Sequence, residues 1–355
     1  MSTDLRNRRF LDACRRQPTD CTPVWIMRQA GRYLPEYRAL RRQYDLLTVS
    51  RMPELVAEIV TLPVRRFGFD AAILFGDIML PVAPMGVDFT IEEQVGPIIA
   101  SPLRTRSDIA RLRSVDVERG LGYVAQTMQA SVAALDGQVP MIGFAGAPFT
   151  VASYLVEGRP SRDFRHTRAL MFSDPAAWHD LMERLTRVTI DYLRLQIAAG
   201  ADAVQLFDSW VGCLNAADYR EFVLPYSRQV FDGLADTSVP RIHFGVGTST
   251  LLEAMAEAGG EVMGVDWRIP LGDAWRRIGD DFAIQGNLDP ARLLAPRPAL
   301  EGAVDAVLGE AAGRSGHVFN LGHGILPDTP VENVEWLVAV VHERTAHPAA
   351  AAVLE

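Results

Sequence analysis

Short, mostly apolar runs alternate along this chain with longer stretches whose apolar positions recur every three or four residues. The runs are Pro23–Met27, Ala71–Phe75, Pro140–Phe144, Ala203–Phe207, Arg241–Phe244, Glu261–Val265, Phe282–Gln285 and His317–Leu321. Each has the length of a strand rather than a helix, and continuous apolar character marks a strand covered on both faces. Between them Pro53–Phe67 predicts a helix: Leu55, Val56, Ile59, Val60 and Leu62 share a face, proline opens it and Gly68 follows its end. The clearest later helical patterns are Pro175–Ala199, Asp218–Leu234, Thr250–Ala258, Pro298–Ala312 and Pro330–Thr345. Eight strand–helix units predict an α/β chain folded as a single-domain (β/α)8 TIM barrel over residues 1–355. No GxGxxG opens the first helix, which argues against an open doubly wound sheet. Thr3–Arg16 predicts a short amphipathic N-terminal helix with Leu5, Phe10 and Leu11 on one side. A long excursion from Ile78 to Val139 follows the second strand, and within it Val87–Ile91 and Gly96–Ile99 predict a β-hairpin. The barrel core is expected over about residues 10–345, with the Pro/Ala-rich tail from His347 frayed.

Composition narrows the chemistry. The formal net charge is −9, so nucleic acid and anionic membrane are not expected as bulk partners, and any anionic ligand needs a local basic patch. The N-terminus lacks a signal peptide's apolar core, and no apolar run is long enough to span a bilayer. Cys14, Cys21 and Cys213 form neither a disulfide framework nor a metal motif, so a reduced, cytoplasmic setting is expected. All 35 basic residues are arginine. Without lysine there is no Schiff-base chemistry and no Walker A phosphate loop.

Polar residues gather just beyond the strand ends, where a barrel builds its active site. The first run releases Arg28 and Arg32 into a loop punctuated by Gly31 and Pro35, and the second ends at Asp77. Later ends supply the segment from Gly146 to Tyr154, Asp208-Ser209, Asp266-Trp267, Gly286-Asn287 and Asn320 with Gly322-His323-Gly324. Arginines in such a loop present planar forks to carboxylate or phosphate, although a basic turn can also be merely solvated. Asp77 could cap a turn, Tyr154 could be a packed aromatic and Ser209 a turn residue; a functional role is the reading carried forward for Asp77 and His323. Asp208, Asp266 and Asn320 read instead as acceptors for backbone donors at the rim. No His-x-Cys or Cys-x-x-Cys occurs, so no metal is expected.

Three segments carry a family resemblance: Pro23–Arg38 (PVWIMRQAGRYLPEYR), Gly143–Thr150 (GFAGAPFT) running on through Tyr154 to Gly158, and Asn320–Ile325 (NLGHGI). In these the chain resembles the uroporphyrinogen decarboxylase family, from about Phe10 to the last helix. The resemblance implies a homodimeric barrel without cofactor or metal, converting the four acetate side chains of uroporphyrinogen III to methyls. It implies Arg28, Asp77, Tyr154 and His323 as catalytic residues. For substrate binding it implies Arg28, Arg32, Arg41, Asp77, Tyr154, Ser209 and His323, with Phe144 and Phe207 lining the cleft. Gly76 departs from the serine expected in many relatives. Arg38, Arg41 and Arg42 are spaced to share a helix face beyond Arg28 and Arg32. Two alternatives compete: a corrinoid- or thiol-dependent methyltransferase on a related barrel, disfavoured because Phe244 and Gly245 follow His243 where a zinc-binding cysteine would be needed, and a non-catalytic tetrapyrrole carrier, which would need the arginines but not Asp77.

Overall fold

The computed structural model describes residues 5–92 and 95–346; the expected fraying from His347 lies outside them. In chain order its strands are β1 (Ala72–Ile73), β2 (Phe89–Glu92), β3 (Gly96–Ile99), β4 (Met141–Gly146), β5 (Ala203–Asp208), β6 (Arg241–Gly245), β7 (Val262–Gly264), β8 (Ala283–Leu288) and β9 (His317–Leu321). Seven of these form one curled parallel sheet in the order β1-β4-β5-β6-β7-β8-β9, while β2 and β3 pair antiparallel within the excursion. Every pairing in the large sheet is parallel, as helical crossovers require.

The first apolar run does not form a strand ladder. Val24 makes a single parallel bridge to Phe319 of β9, and on the other side the Val24 carbonyl accepts from Asp70 N–H at 2.8 Å. The reason is local. Pro23 has no N–H, and side chains capture the donors a ladder would use: Val24 N–H goes to the Asp70 carboxylate (2.7 Å), Ile26 N–H to Gln29 Oε1 (3.2 Å) and Met27 N–H to Asn320 Oδ1 (3.1 Å). The run therefore occupies the gap between β9 and β1 as an extended segment, held by main-chain bonds of Pro23 and Trp25 to Phe319 and of Met27 to Ile325 on one side and largely by side chains on the other.

Alternate strand residues pack inside the sheet. Trp25, Met27, Ala71, Ile142, Ala203, Ile242, Val262, Ala283 and Val318 form one buried cluster with Phe10, Leu11, Ala13 and Cys14 of the helix Arg9–Cys14. Ala71, Ala203 and Ala283 leave room for two large rings, Phe10 and Trp25, which meet edge to face at 6.5 Å. The short N-terminal helix thus caps the N-terminal end of the sheet.

Pro53–Phe67 is helical as predicted and ends on Gly68 at φ 72°, a left-handed cap that suits glycine. The predicted helix over Asp218–Leu234 is two helices, Ala216–Phe222 and Leu224–Asp232, meeting at Val223. Pro225 explains the break: it has no N–H for an interior bond and is tolerated in a first turn. The excursion also contains the helical run Val117–Leu135, kinked at Leu121 (φ −130°), which leads back to β4. Gly120 and Gly122 weaken its sequence pattern.

Candidate active site

The loop after the first run is built around Gln29. This buried side chain accepts from Ile26 N–H and donates to the Ala71 carbonyl at 3.0 Å, tying the turn to the start of β1. The Gln29 backbone carbonyl accepts from the Tyr33 hydroxyl at 2.8 Å. Arg28 is then thrown outward in the left-handed region at φ 64°, costly for a residue with a side chain and tolerated where surrounding bonds fix it. Gly31 is required here, because a Cβ would lie 2.4 Å from the Arg28 carbonyl oxygen. The Arg28 side chain runs along Gly324, where a Cβ would come within 2.6 Å of its Cδ. The first and last strand ends therefore meet at Arg28.

Asp77 ends the segment that continues β1. Its Oδ1 accepts from Met79 N–H at 2.9 Å, the carboxylate's sole hydrogen bond among the described residues. Burial pushes its carboxyl above the usual range, and the Met79 N–H and the Arg28 charge offset this only in part. Below lies Phe144, whose Cζ would be 3.8 Å from a Cβ at Gly76. A serine there would also meet Leu80 Cδ1 at 3.2 Å, so glycine gives this turn slack that the expected serine would remove. Phe144 meets Phe207 edge to face at 5.7 Å, and Phe207 meets Phe244 likewise at 5.8 Å. Three rings thus run across the sheet from Phe144, beside the Gly76 turn, to Phe244.

Tyr154 sits on the helix Pro148–Glu157, with its ring 5.8 Å from that of Trp210. Burial, then the charge of Asp77, pushes its hydroxyl up to about 12, so it stays protonated as a donor. Ser209 is half-buried between two residues clasped to this helix. Thr150 Oγ1 donates to Asp208 at 2.9 Å and accepts from Trp210 N–H at 3.2 Å. His323 Nδ1 accepts from Gly324 N–H at 2.7 Å, which places its proton on Nε2. Burial and the Arg28 charge lower its pKa to about 4, so the ring is neutral at neutral pH.

Arg28 is thus close enough for its charge to act on Asp77, Tyr154 and His323, and the charge of Asp77 acts in turn on Tyr154. Arg32 is half-buried in the same loop. Arg41 is not drawn into this group: its Nη1 donates to the Tyr44 carbonyl at 2.6 Å. Nor do the three outer arginines share one helix, since the helix Pro35–Arg41 ends before Arg42. Of the rim residues read as backbone acceptors, Asp266 takes N–H donors from Gly247 and Arg268, and Asn320 takes them from Met27 and Leu321. Asp208 differs, accepting from a hydroxyl. Gln29, Thr150, Trp210 and Arg268 escaped the sequence reading. Gln29 lay inside the quoted motif, but no spacing rule marks a glutamine that folds back on its own loop. Among the described residues no group of three or more His, Cys, Asp or Glu is placed to hold a metal ion, and no helix is long and apolar enough to cross a membrane.

Residues 5–344 match the family model described as uroporphyrinogen decarboxylase (URO-D). The chain is 57% identical to the uroporphyrinogen decarboxylase of Sorangium cellulosum over 334 residues, 94% of this chain and 95% of that protein. It is 49% identical to the one from Carboxydothermus hydrogenoformans, over 95% of this chain and 96% of that protein. Among solved structures a methyltransferase from Methanosarcina mazei superposes with a TM-score of 0.75 over 95% of this chain and 98% of that chain. Its identity is 21%, so the likeness is one of fold.

Proposed function

The chain belongs to the uroporphyrinogen decarboxylase family, and from that premise we propose that it decarboxylates the four acetate side chains of uroporphyrinogen III to give coproporphyrinogen III and carbon dioxide. The observation that carries the reading is the pairing of an outward Arg28 with a sparsely bonded, half-buried Asp77. The substrate bears eight carboxylates, so arginine forks at the mouth suit its periphery and Asp77 suits its pyrrole N–H groups.

Decarboxylation leaves an electron pair that needs an acceptor. The chain has no lysine to form an imine, so the substrate's own ring serves. Protonation of a pyrrole carbon beside the acetate-bearing carbon makes the ring a cation. The bond between the acetate methylene and carboxyl carbons then breaks, and its electrons neutralise the ring as an exocyclic methylene. Protonation of that methylene, with loss of the added ring proton, leaves a methyl group and an intact pyrrole. Asp77 accepts the pyrrole N–H bonds and stabilises the ring cation, a role whose removal costs about 2.7–4 kcal/mol in comparable sites. Tyr154 and the neutral His323 serve as hydrogen-bond donors to carboxylate, and Arg28 relays the proton from water among the bound carboxylates. Arg32 and Ser209 contribute to binding over a floor of Phe144 and Phe207, and Arg41, outside that group, meets the substrate only at its periphery. This chemistry needs no cofactor.

We further read the chain as one domain and the sheet as a closed (β/α)8 barrel whose eighth stave is the extended segment through Val24, acting as a cytoplasmic homodimer. Light scattering tests the dimer. Anaerobic incubation with uroporphyrinogen III, counting the carboxylates left on the product, tests the activity. Four lost carboxylates and four equivalents of carbon dioxide are expected; binding without release would instead favour a tetrapyrrole carrier.

A further inference from the structure

Resting on that reading, we propose that Arg268 is a further substrate-carboxylate binding residue, set on the opposite side of His323 from Arg28. The loop Gly322-His323-Gly324 is wedged between two arginine-bearing segments. On one side a Cβ at Gly324 would lie 2.6 Å from Arg28 Cδ. On the other, a Cβ at Gly322 would lie 2.5 Å from Trp267 N and 3.0 Å from Trp267 Cε3. Arg268 follows directly, at the C-terminal end of β7 where the sheet builds its site. Its charge, like that of Arg28, bears on the His323 ring.

Arg268 is held in a way that a merely solvated arginine is not. Buried Asp266 accepts from the Arg268 backbone N–H at 3.1 Å, from its Nη1 at 2.5 Å and from Gly247 N–H at 2.6 Å. The guanidinium carbon sits 4.1 Å from the centroid of the Trp267 ring. A guanidinium has five N–H donors, and Asp266 engages one nitrogen of it. The side chain is 48% exposed, so the remaining donors are open to a ligand. Asp266 already has two backbone donors, Gly247 N–H and Arg268 N–H, and does not depend on the guanidinium for satisfaction. Pair and ring together fix the fork before a ligand arrives, and less rotamer freedom is then lost on binding. Arg28 and Arg32 come from one loop, whereas an octacarboxylate presents acid groups around its whole rim. Arg268 supplies a fork from another strand end.

The test compares full-length wild type with Arg268→Gln and Arg268→Lys in steady-state kinetics and in equilibrium binding of the octacarboxylate, read by tryptophan quenching. Arg268→Gln is expected to raise KM and weaken binding about tenfold or more, the weight of a hydrogen bond to a charged group, with the effect on KM rather than kcat. Arg268→Lys should recover part of it. Arg268→Gln with KM and binding within twofold of wild type, at an unchanged thermal midpoint, overturns the proposal. Wild type that binds the octacarboxylate but releases no carbon dioxide would sink the decarboxylase reading instead, and the binding comparison would still decide Arg268.

Discussion

Asp70 and Asp77 stand at opposite ends of the run through β1, and the fold treats them in opposite ways. Asp70, at the N-terminal end, is fully buried and its carboxylate accepts from Asn7 Nδ2 (2.8 Å), Arg9 Nη1 (3.2 Å), Val24 N–H (2.7 Å) and His342 Nε2 (2.7 Å). Burial alone would raise its carboxyl, yet these partners hold it below the usual range. Asp77, at the C-terminal end, has the single Met79 bond and is pushed up. One acid is saturated by the protein; the other is left for something the protein does not supply. The difference separates the sheet's stability end from its reactive end. Asp70 fastens the N-terminal helix segment, the extended run and the last helix, Val331–Thr345, to the sheet.

The largest way to break this contrast is Asp70→Asn. It leaves buried donors facing a poorer acceptor, and breaking a buried ion pair costs about 3–5 kcal/mol. The thermal midpoint should fall sharply, while kcat of the protein that remains folded should stay within a few-fold. The pH sign follows from the lowered carboxyl. Its stabilisation is present above the unfolded-state value of about 3.9 and lost as pH falls through the folded one. The gap between wild type and Asp70→Asn should therefore close below about pH 4. A gap that persists in stronger acid would place the stabilisation elsewhere.

Asp77→Asn should do the reverse. Its kcat is expected to drop about 10²- to 10³-fold, and its stability at neutral pH should hold or rise. Here the folded carboxyl lies above the unfolded value. The destabilising term is absent below the unfolded pKa and complete above the folded one, so removing the charge helps at pH 7. Undiminished turnover, or a lowered thermal midpoint at pH 7, would erase the distinction between the two acids.

The sequence made one end of this contrast far more legible than the other. Asp77, Arg28 and His323 stand directly after apolar runs, so period and position were enough to place them on one rim. Asp70 precedes its run and its partners lie at Asn7, Arg9, Val24 and His342, up to 272 positions away; no local pattern joins them. The same limit explains the first run. Pro23–Met27 has a strand's composition, but whether its N–H groups meet a neighbouring strand or the side chains of Asp70, Gln29 and Asn320 is decided by tertiary placement. Helix ends were legible where a single residue sets them, as at Gly68, and the break before Pro225 was in plain view but outweighed by the amphipathic pattern around it.

His323 gives the smallest effect and the finest division between the two ends. Both it and His342 stand beside an acid cluster or a cationic one, but His342 is bonded to a carboxylate and His323 faces Arg28. With the His323 pKa lowered to about 4, the fold disfavours its imidazolium. That costs no stability above the unfolded value of about 6.5 and an increasing amount as pH falls from there toward about 4. His323→Gln, which keeps a donor, should therefore match wild type in thermal midpoint at pH 7.5 and exceed it at pH 5. The imidazole C2 proton of His323 should titrate near 4 in NMR spectra of the wild type, and the rate profile should show no His323 inflection between pH 6 and 7. A His323 titration near 6.5 would mean that the ring is neither buried nor set against Arg28 in solution, and the corner where Arg28 meets Asp77 and His323 would have to be redrawn.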